Sequence, residues 1–268
     1  MKEHQLTSAD GCKLHACIFS PDSTLRGQVL VVHGMGEHCA RHTWLMNTLA
    51  EAGLECHSLD LRGHGRSGGK RGHVNSWNDY CLDLDAIAAT LDPGFSVLGH
   101  SMGGLVALDW LRQNRGANAL VLSSPLLGVA VEAPAWKILA GRLLSRILPS
   151  LSMNNELPPE DICSRAEVVE AYLADPMVFG TITPRWFTEM SAAIERVHLA
   201  ASSYDIPLYL NLGAEDKIVS LPDARKFYDN WNGPKRLQEW EDCFHETFNE
   251  AQREQIVAPI SDWLISPG

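Results

Sequence analysis

The fold is decided by the stretch Phe95-Ser96-Val97-Leu98-Gly99-His100-Ser101-Met102-Gly103-Gly104-Leu105-Val106-Ala107. It begins as a compact apolar run, typical of a buried β-strand, and continues into an apolar helix. The central Gly-His-Ser-Met-Gly is a G-x-S-x-G pattern, in which a serine on a tight strand-to-helix turn projects its hydroxyl from the end of a sheet. A side chain at Gly99 or Gly103 would collide with a neighbouring element. Because ordinary glycine-rich turns also show this pattern, its chemistry depends on partners elsewhere in the chain.

The composition argues against nucleic acid as a partner. The chain has 268 residues, 45% of them hydrophobic, which is enough for the core of one large domain or two small ones. Its formal net charge is -11, whereas a nucleic-acid-binding protein needs a basic face to contact phosphates. We therefore expect no nucleic-acid partner.

The 7 cysteines are scattered, with no C-x-x-C pair and no zinc-ligand spacing. They are typical of small buried residues in a reducing compartment. The polar N-terminus, residues 1–5, leads into no signal-peptide core, and no apolar run approaches the roughly 20 residues of a transmembrane helix. We therefore expect a soluble, cytoplasmic protein and predict neither a metal nor an organic cofactor.

Strand and helix patterns alternate along the first half of the chain. Continuous apolar runs, such as the one at 28–33, are typical of parallel strands that are covered on both faces. The alternation predicts an α/β fold with a mostly parallel, doubly wound sheet flanked by helices. Before Pro125, strands are predicted at 4–9, 14–20, 28–33, 54–59, 119–123 and in the run from 95 to the turn at Gly99, and helices at 43–52, 79–91 and from about 105 onward.

The alternation stops after Pro125. Residues from about 126 to 202 contain several helical pieces and prolines but no convincing strand. The strand pattern resumes at 207–212, followed by a helix at 221–231, a strand at 235–241 and a helix at 249–265. The sequence therefore predicts a single domain, 1–268, whose core (about 1–125 and 203–268) carries a helical insertion at about 126–202.

A serine becomes a nucleophile when a base takes its proton and a third group orients that base. In a doubly wound sheet these groups follow the carboxyl ends of strands. The strand at 207–212 leads to Asp216, the predicted acid, with its neighbour Glu215 as the alternative. The last strand leads to His245, the predicted base. The order Ser101, Asp216, His245 is the one expected when G-x-S-x-G marks the nucleophile.

Asp60 is a further carboxylate at a strand end. It precedes Ser101 in the chain and begins a long, basic, glycine-rich loop at 60–74. We therefore predict a structural role, in which Asp60 pairs with Arg62 or caps the loop.

The negative charge that develops during attack on a carbonyl needs two backbone N–H donors. Met102, directly after the serine, is predicted as the first donor. Met35 is predicted as the second, because Gly34 and Gly36 let the loop after the strand at 28–33 bend close. An ordinary tight turn is the alternative explanation of these two glycines.

Taken together, these segments resemble the α/β-hydrolases and, within them, the monoacylglycerol lipase and lysophospholipase group. The resemblance covers nearly the whole chain and implies a serine carboxylic ester hydrolase with Ser101, Asp216 and His245 as its triad, Met35 and Met102 as oxyanion donors, and no cofactor. It also implies that the insertion is a cap over an acyl pocket. The matching segments are 33–38, 60–67, 99–104, 171–176, 213–219 and 245–250.

The resemblance implies that a polar head group of the substrate lies near the loop at 37–41. Carried over to this chain, the substrate-binding residues there are Glu37 and Arg41. An internal salt bridge between the two is the equally good alternative.

One predicted helix of the insertion has an apolar face that includes Trp136 and Leu143, with basic residues on its other side and edges. One interpretation packs this face over the core of the protein. The other makes the helix an amphipathic lid that admits an acyl chain or touches lipid surfaces transiently, so that the protein is peripheral at membranes.

Several functions are compatible with these residues. The first is hydrolysis of monoacylglycerols or similar single-chain lipid esters. A broad short-chain esterase and an aminopeptidase-type hydrolase, which needs acidic groups to bind a free amine, are alternatives. A ligand-binding protein that retains the fold without turnover is a further alternative, from a different class.

Overall fold

The computed structural model of the chain describes residues 1–113, 115–131 and 134–267. Within these ranges the chain forms ten strands and eight α-helices. The strands are β1 (Lys2–Thr7), β2 (Lys13–Phe19), β3 (Gly27–Val32), β4 (Leu54–Leu59), β5 (Ser96–His100), β6 (Leu120–Ser123), β7 (Met153–Asn154), β8 (Thr181–Ile182), β9 (Leu208–Gly213) and β10 (Lys235–Trp240). The helices are α1 (Thr43–Glu51), α2 (Asn78–Ala88), α3 (Met102–Leu111), α4 (Ala135–Ile147), α5 (Ala166–Ala174), α6 (Pro184–Leu199), α7 (Leu221–Asp229) and α8 (Arg253–Ile265).

Eight of the strands form one sheet in the order β1-β2-β4-β3-β5-β6-β9-β10. The pairs β1–β2 and β2–β4 are antiparallel, and every pair from β4 to β10 is parallel. The prediction of a mostly parallel sheet is therefore confirmed. Because parallel strands end on the same edge, the loops after β3, β5, β9 and β10 meet at one side of the molecule.

Helices cover both faces of this sheet and bury alternate residues of each central strand. Leu30 and Val32 of β3 belong to the core on one face, whereas Val29 and Val31 belong to the core on the other. This period of two explains why the central strands are continuous apolar runs.

The segment between β6 and β9 contains α4, α5 and α6 together with β7 and β8, which pair antiparallel as a separate two-stranded sheet. The prediction that this segment contains no strand is wrong. Two residues per strand are too few to produce an alternating pattern in the sequence. Helix α6 begins where the Thr183 side chain accepts a hydrogen bond from the Trp186 N–H at 3.3 Å, with proline at the first helical position.

None of the helices in the described part of the chain combines the length and the apolar character that crossing a bilayer requires.

Candidate active site

Ser101 lies on the turn between β5 and α3 with φ 52° and ψ -120°, in the left-handed region that a non-glycine residue rarely occupies. Its N–H donates to the Ser123 carbonyl at 2.9 Å, and its carbonyl accepts from the Leu126 N–H at 3.0 Å. A Cβ on Gly103 would lie 2.2 Å from the Val32 carbonyl oxygen, so the predicted requirement for glycine beside the serine is confirmed. The surrounding backbone thus holds the serine in a strained conformation at the carboxyl edge of the sheet.

His245 and Asp216 form a buried pair at the same edge. His245 Nδ1 lies 2.7 Å from Asp216 Oδ2, while the second carboxylate oxygen of Asp216 accepts from the N–H groups of Ile218 at 2.8 Å and Val219 at 3.1 Å. These two N–H donors fix the carboxylate after β9, and the carboxylate in turn fixes the imidazole after β10. The Glu215 side chain is exposed, so Asp216 is the carboxylate that faces His245.

The electrostatics of the pair follow from burial and charge. Burial by itself would lower the pKa of His245, but the charge and hydrogen bond of Asp216 outweigh it, and the pKa is raised. Burial opposes ionisation of Asp216, yet His245 and two backbone N–H donors lower the pKa of that carboxyl. Burial, followed by the charge of His245, lowers the pKa of His100 to about 3, so this neighbouring ring is neutral at pH 7.

A single pocket contains Ser101, His245 and Met35. His100 also lines it, with its ring centroid 4.9 Å from that of His245. The remaining walls combine apolar side chains and two carboxylates, and they come from both the core and the insertion. They are Gly34, Glu37, Leu157, Pro158, Pro159, Ile162, Tyr172, Ile218 and Glu246.

The predicted oxyanion donors occupy two different elements at this pocket. Met102 is the first residue of α3, where backbone N–H groups have no partner in the preceding turn and carry partial positive charge. Met35 belongs to the loop after β3, whose bend is held by a 2.5 Å hydrogen bond from the Gly34 N–H to Glu37. Met102 directly follows Ser101 in the sequence, and Met35 lines the same pocket as Ser101.

Glu37 and Arg41 form an internal salt bridge, the alternative that the sequence left open. Arg41 Nε lies 3.2 Å from Glu37, and Arg41 Nη2 lies 2.7 and 2.8 Å from the two oxygens of Glu246. Its guanidinium also lies 4.8 Å from the ring centroid of Tyr172.

Glu37 accepts a further contact from His42 at 3.1 Å. The charge of His42 lowers the pKa of Glu37 well below its ordinary value, against the opposing effect of burial. Of the two substrate-binding residues predicted in this loop, Glu37 lines the pocket and Arg41 does not.

Sequence reasoning missed Glu246 and Tyr172. Glu246 is 205 positions from its partner Arg41, and Tyr172 comes from α5 of the insertion, so no local pattern connects them with the site. The sequence does contain a signal for each residue. Glu246 directly follows the predicted base His245, and Tyr172 lies in the segment 171–176, which contributes to the family resemblance.

The apolar face of α4 points to solvent. Trp136 is 68% exposed and Leu143 58% exposed, and neither lines the pocket that contains Ser101. The interpretation that this face packs over the core is therefore wrong. Helix α4 instead buries Gly141 and Ser145 against α6, where Gly141 faces Phe187 and the Ser145 hydroxyl lies 2.9 Å from that of Thr188.

Asp60 caps its loop, which is one of the two structural roles predicted for it. Its oxygens accept from the N–H groups of Cys39 at 2.9 Å and Arg66 at 2.8 Å. The alternative pairing with Arg62 is wrong, because Arg62 binds Asp83 and Asp10.

Comparisons with known proteins agree with this geometry. The model of the family described as "Serine aminopeptidase, S33" matches residues 23–252. The chain is 32% identical to phospholipase YtpA of Bacillus subtilis, with 85% of this chain and 91% of that protein covered. It is also 32% identical to an uncharacterized abhydrolase domain-containing protein of Dictyostelium discoideum; that match covers 88% of this chain, which spans about a quarter (26%) of that protein's length.

Among solved structures, the monoacylglycerol lipase of Paleococcus ferrophilus is similar over nearly the whole chain. It has a TM-score of 0.88 and 30% sequence identity, with 94% of this chain and 98% of that chain covered. The predicted fold class and the predicted resemblance are therefore confirmed. Since the family match extends from before β3 to the end of the loop after β10, the chain belongs to this family of α/β-hydrolases.

Proposed function

We propose that the chain hydrolyses single-chain lipid esters, monoacylglycerols above all, through an acyl-enzyme on Ser101. The observation that carries this proposal is the 2.7 Å His245–Asp216 pair, which shares the carboxyl edge of the sheet with a strained serine in one pocket. Both a similar phospholipase and a similar monoacylglycerol lipase support lipid esters as the substrate class.

In the proposed mechanism, His245 takes the proton of Ser101 as the serine oxygen attacks the ester carbonyl. The N–H groups of Met35 and Met102 bind the oxyanion, and Asp216 stabilises the imidazolium. The alcohol leaves with the proton from His245, and a water molecule then repeats the sequence to release the fatty acid. None of these steps requires a metal or an organic cofactor.

The charges of the pocket wall support a neutral head group. The carboxylates of Glu37 and Glu246 can accept hydrogen bonds from glycerol hydroxyls, whereas a carboxylate has no hydrogen to donate to the phosphate of a lysophospholipid. The guanidinium of Arg41 is held by both carboxylates and lies against the ring of Tyr172. We therefore propose monoacylglycerols ahead of lysophospholipids.

The same ion pairs argue against a free amine as the recognised group. An aminopeptidase needs unpaired acidic groups to bind an ammonium, but Arg41 and His42 already neutralise the two carboxylates. A broad short-chain esterase is the remaining alternative, and it differs from the proposal in acyl-chain preference.

We also propose that the insertion, at about 126–202, is a cap that supplies the substrate-binding walls and touches lipid surfaces. Leu157, Pro159 and Ile162 of this segment line the pocket, which supports the first role. The exposed stripe of Trp136, Leu139, Leu143 and Ile147 on α4 supports the second. A cytoplasmic location is supported by the free thiols of all seven cysteines.

The test is a substrate panel with purified enzyme and its Ser101→Ala variant as the blank. It compares monoacylglycerols of increasing chain length, matched lysophosphatidylcholines, short-chain p-nitrophenyl esters and an aminoacyl amide. We expect the highest kcat/KM with a long-chain monoacylglycerol, at least about tenfold above the matched lysophospholipid. Preference for the phosphate-bearing lipid would overturn the head-group assignment, and faster cleavage of short-chain esters would favour the esterase.

A further inference from the structure

A second cavity lies between the N-terminal hairpin and the loops that follow β3 and β4. Its volume is about 20 Å³, enough for one small particle such as a water molecule or an ion. It shares no lining residue with the pocket that contains Ser101. Its walls include His15 and Cys17 of β2, Cys39 after β3, and Asp60 after β4.

Three of these residues direct ligand atoms at one point. A ring nitrogen of His15, the sulfur of Cys39 and a carboxylate oxygen of Asp60 all lie within 4.8 Å of one another. His15 Nδ1 is 3.2 Å from Asp60 Oδ2, yet this buried nitrogen has no hydrogen-bond partner in the described part of the chain. Buried polar atoms normally have a partner, so this orphaned nitrogen beside a cavity indicates a missing ligand.

Cys17 adds a second thiol to the cluster. Its sulfur lies 3.6 Å from the sulfur of Cys39. Two sulfur ligands at about 2.3 Å from zinc on tetrahedral directions are about 3.8 Å apart, and a nitrogen and an oxygen at about 2.1 Å are about 3.4 Å apart. The observed 3.6 Å between the sulfurs and 3.2 Å between His15 and Asp60 are both close to these separations. The Cys17 sulfur lies outside the group of atoms that are within 4.8 Å of one another, so its side chain has to turn toward the ion.

We propose that this cluster is a zinc site with His15, Cys39 and Asp60 as ligands, and that Cys17, whose sulfur lies beside that of Cys39, turns to become the fourth ligand when the ion binds. Thiolate and imidazole ligands favour zinc over magnesium or calcium, which prefer all-oxygen sites. The ligands come from β2, from the loop after β3 and from the loop after β4, so the ion joins the N-terminal hairpin to the core. Cys39 begins the helical turn Cys39–His42 that carries Arg41, which connects this site to the pocket wall.

The surroundings of the cluster suit bound ligands. Asp60 is oriented by the N–H groups of Cys39 and Arg66, and the other ring nitrogen of His15 lies 3.4 Å from Arg66 Nη1 and 3.7 Å from Glu3. The positive charge of Arg66 is compensated by its own 2.9 Å contact with Glu3.

Binding requires both thiols to lose their protons. Zinc affinity therefore falls as the pH is lowered, and binding releases protons. The sequence spacing 15, 17, 39 and 60 fits no zinc motif, which is why the sequence alone predicted no metal site.

The experiment uses the full chain, freed of metal and kept reduced with a phosphine, and titrates it with Co²⁺ as a spectroscopic probe. We expect one equivalent of Co²⁺ to produce a thiolate-to-cobalt charge-transfer band, which one equivalent of Zn²⁺ then abolishes. Cys17→Ser should weaken the band, Cys39→Ser should remove it, and His15→Gln should lower the affinity by at least about tenfold. Cys12→Ser, which removes a thiol outside the cavity, is the matched control and should leave the titration unchanged.

Far-ultraviolet circular dichroism of each variant shows whether it folds, and Cys17→Ser and His15→Gln remain informative if Cys39→Ser does not. Absence of the charge-transfer band in the wild type would overturn the proposal. So would a band that persists in both Cys17→Ser and Cys39→Ser, because the thiolates would then lie elsewhere. Binding of zinc by exposed histidines alone gives no thiolate band and counts against the proposal.

Discussion

The carboxyl edge of the sheet and helix α4 of the insertion place their characteristic side chains in opposite environments. Ser101 is 8% exposed and His245 5% exposed at the sheet edge, whereas Trp136 on α4 is 68% exposed. At the edge, backbone hydrogen bonds and a buried ion pair fix each group in place. On α4, small residues make the contact with the rest of the protein and large apolar residues face outward. This contrast underlies the proposal that the edge provides the chemistry and that α4 contacts the lipid.

The largest effect is expected when the orienting carboxylate at the edge is removed. Asp216→Asn leaves His245 without the charge that stabilises its protonated form and favours the wrong tautomer. We expect kcat to fall by about 10⁴-fold with little change in KM. Glu215→Gln, at the exposed neighbouring position, is the matched control and should retain wild-type kinetics. Equal losses in both variants would mean that the loop, and not the carboxylate, is responsible.

The next-largest effect is on stability, where removing a buried ion pair should cost more than removing an exposed one. Arg41→Met leaves the carboxylates of Glu37 and Glu246 buried without their guanidinium, and we expect the free energy of unfolding to fall by about 3–5 kcal/mol. In the insertion, Lys137→Met removes an exposed contact with Glu156 and should cost less than about 1 kcal/mol. Urea denaturation measures both changes. Similar losses would contradict the contrast between the buried ion pair at the edge and the exposed ion pair on α4.

The sequence was informative where one element determines the position of a side chain. Asp216 and His245 could be selected because apolar runs mark the strands and parallel strands end at one edge, which the pairings of β9 and β10 bear out. The packing of α4 could not be predicted, since its buried face consists of Gly141 and Ser145, which no hydropathy pattern marks. Contacts between distant segments, such as Arg41 with Glu246, also have no local signature.

A smaller effect is expected at the lipid surface. The double variant Trp136→Ser/Leu143→Ser removes two exposed apolar side chains that would be buried in a lipid surface. We expect binding to neutral phosphatidylcholine vesicles to weaken by about tenfold, with hydrolysis of a water-soluble ester changed less than about twofold. Leu199→Ser, at a position that is 79% exposed, is the control and should bind like the wild type. Unchanged vesicle binding in the double variant would exclude α4 as the docking surface.

The smallest effect is the dependence on pH near neutrality. His245 acts as a base only when it is neutral, and its pKa is raised above the ordinary 6.5, so kcat/KM falls as the pH falls through that raised value. At pH 6.5 we expect kcat/KM below half of its alkaline plateau, with the midpoint lower in Asp216→Asn. The contribution to stability has the opposite sign: it is complete below pH 6.5 and is lost as the pH rises through the raised pKa. A midpoint below 6.5 in the wild type would contradict the assigned pair.

Covalent labelling of the serine tests the central claim most directly. The protein is treated with a fluorophosphonate, and the adduct is located by mass spectrometry of its peptides. We predict a single adduct, on Ser101, that forms much more slowly in Asp216→Asn and is absent from Ser101→Ala. No adduct on the folded wild type, or an adduct that persists in Ser101→Ala, would contradict the assignment of this strained serine as the nucleophile.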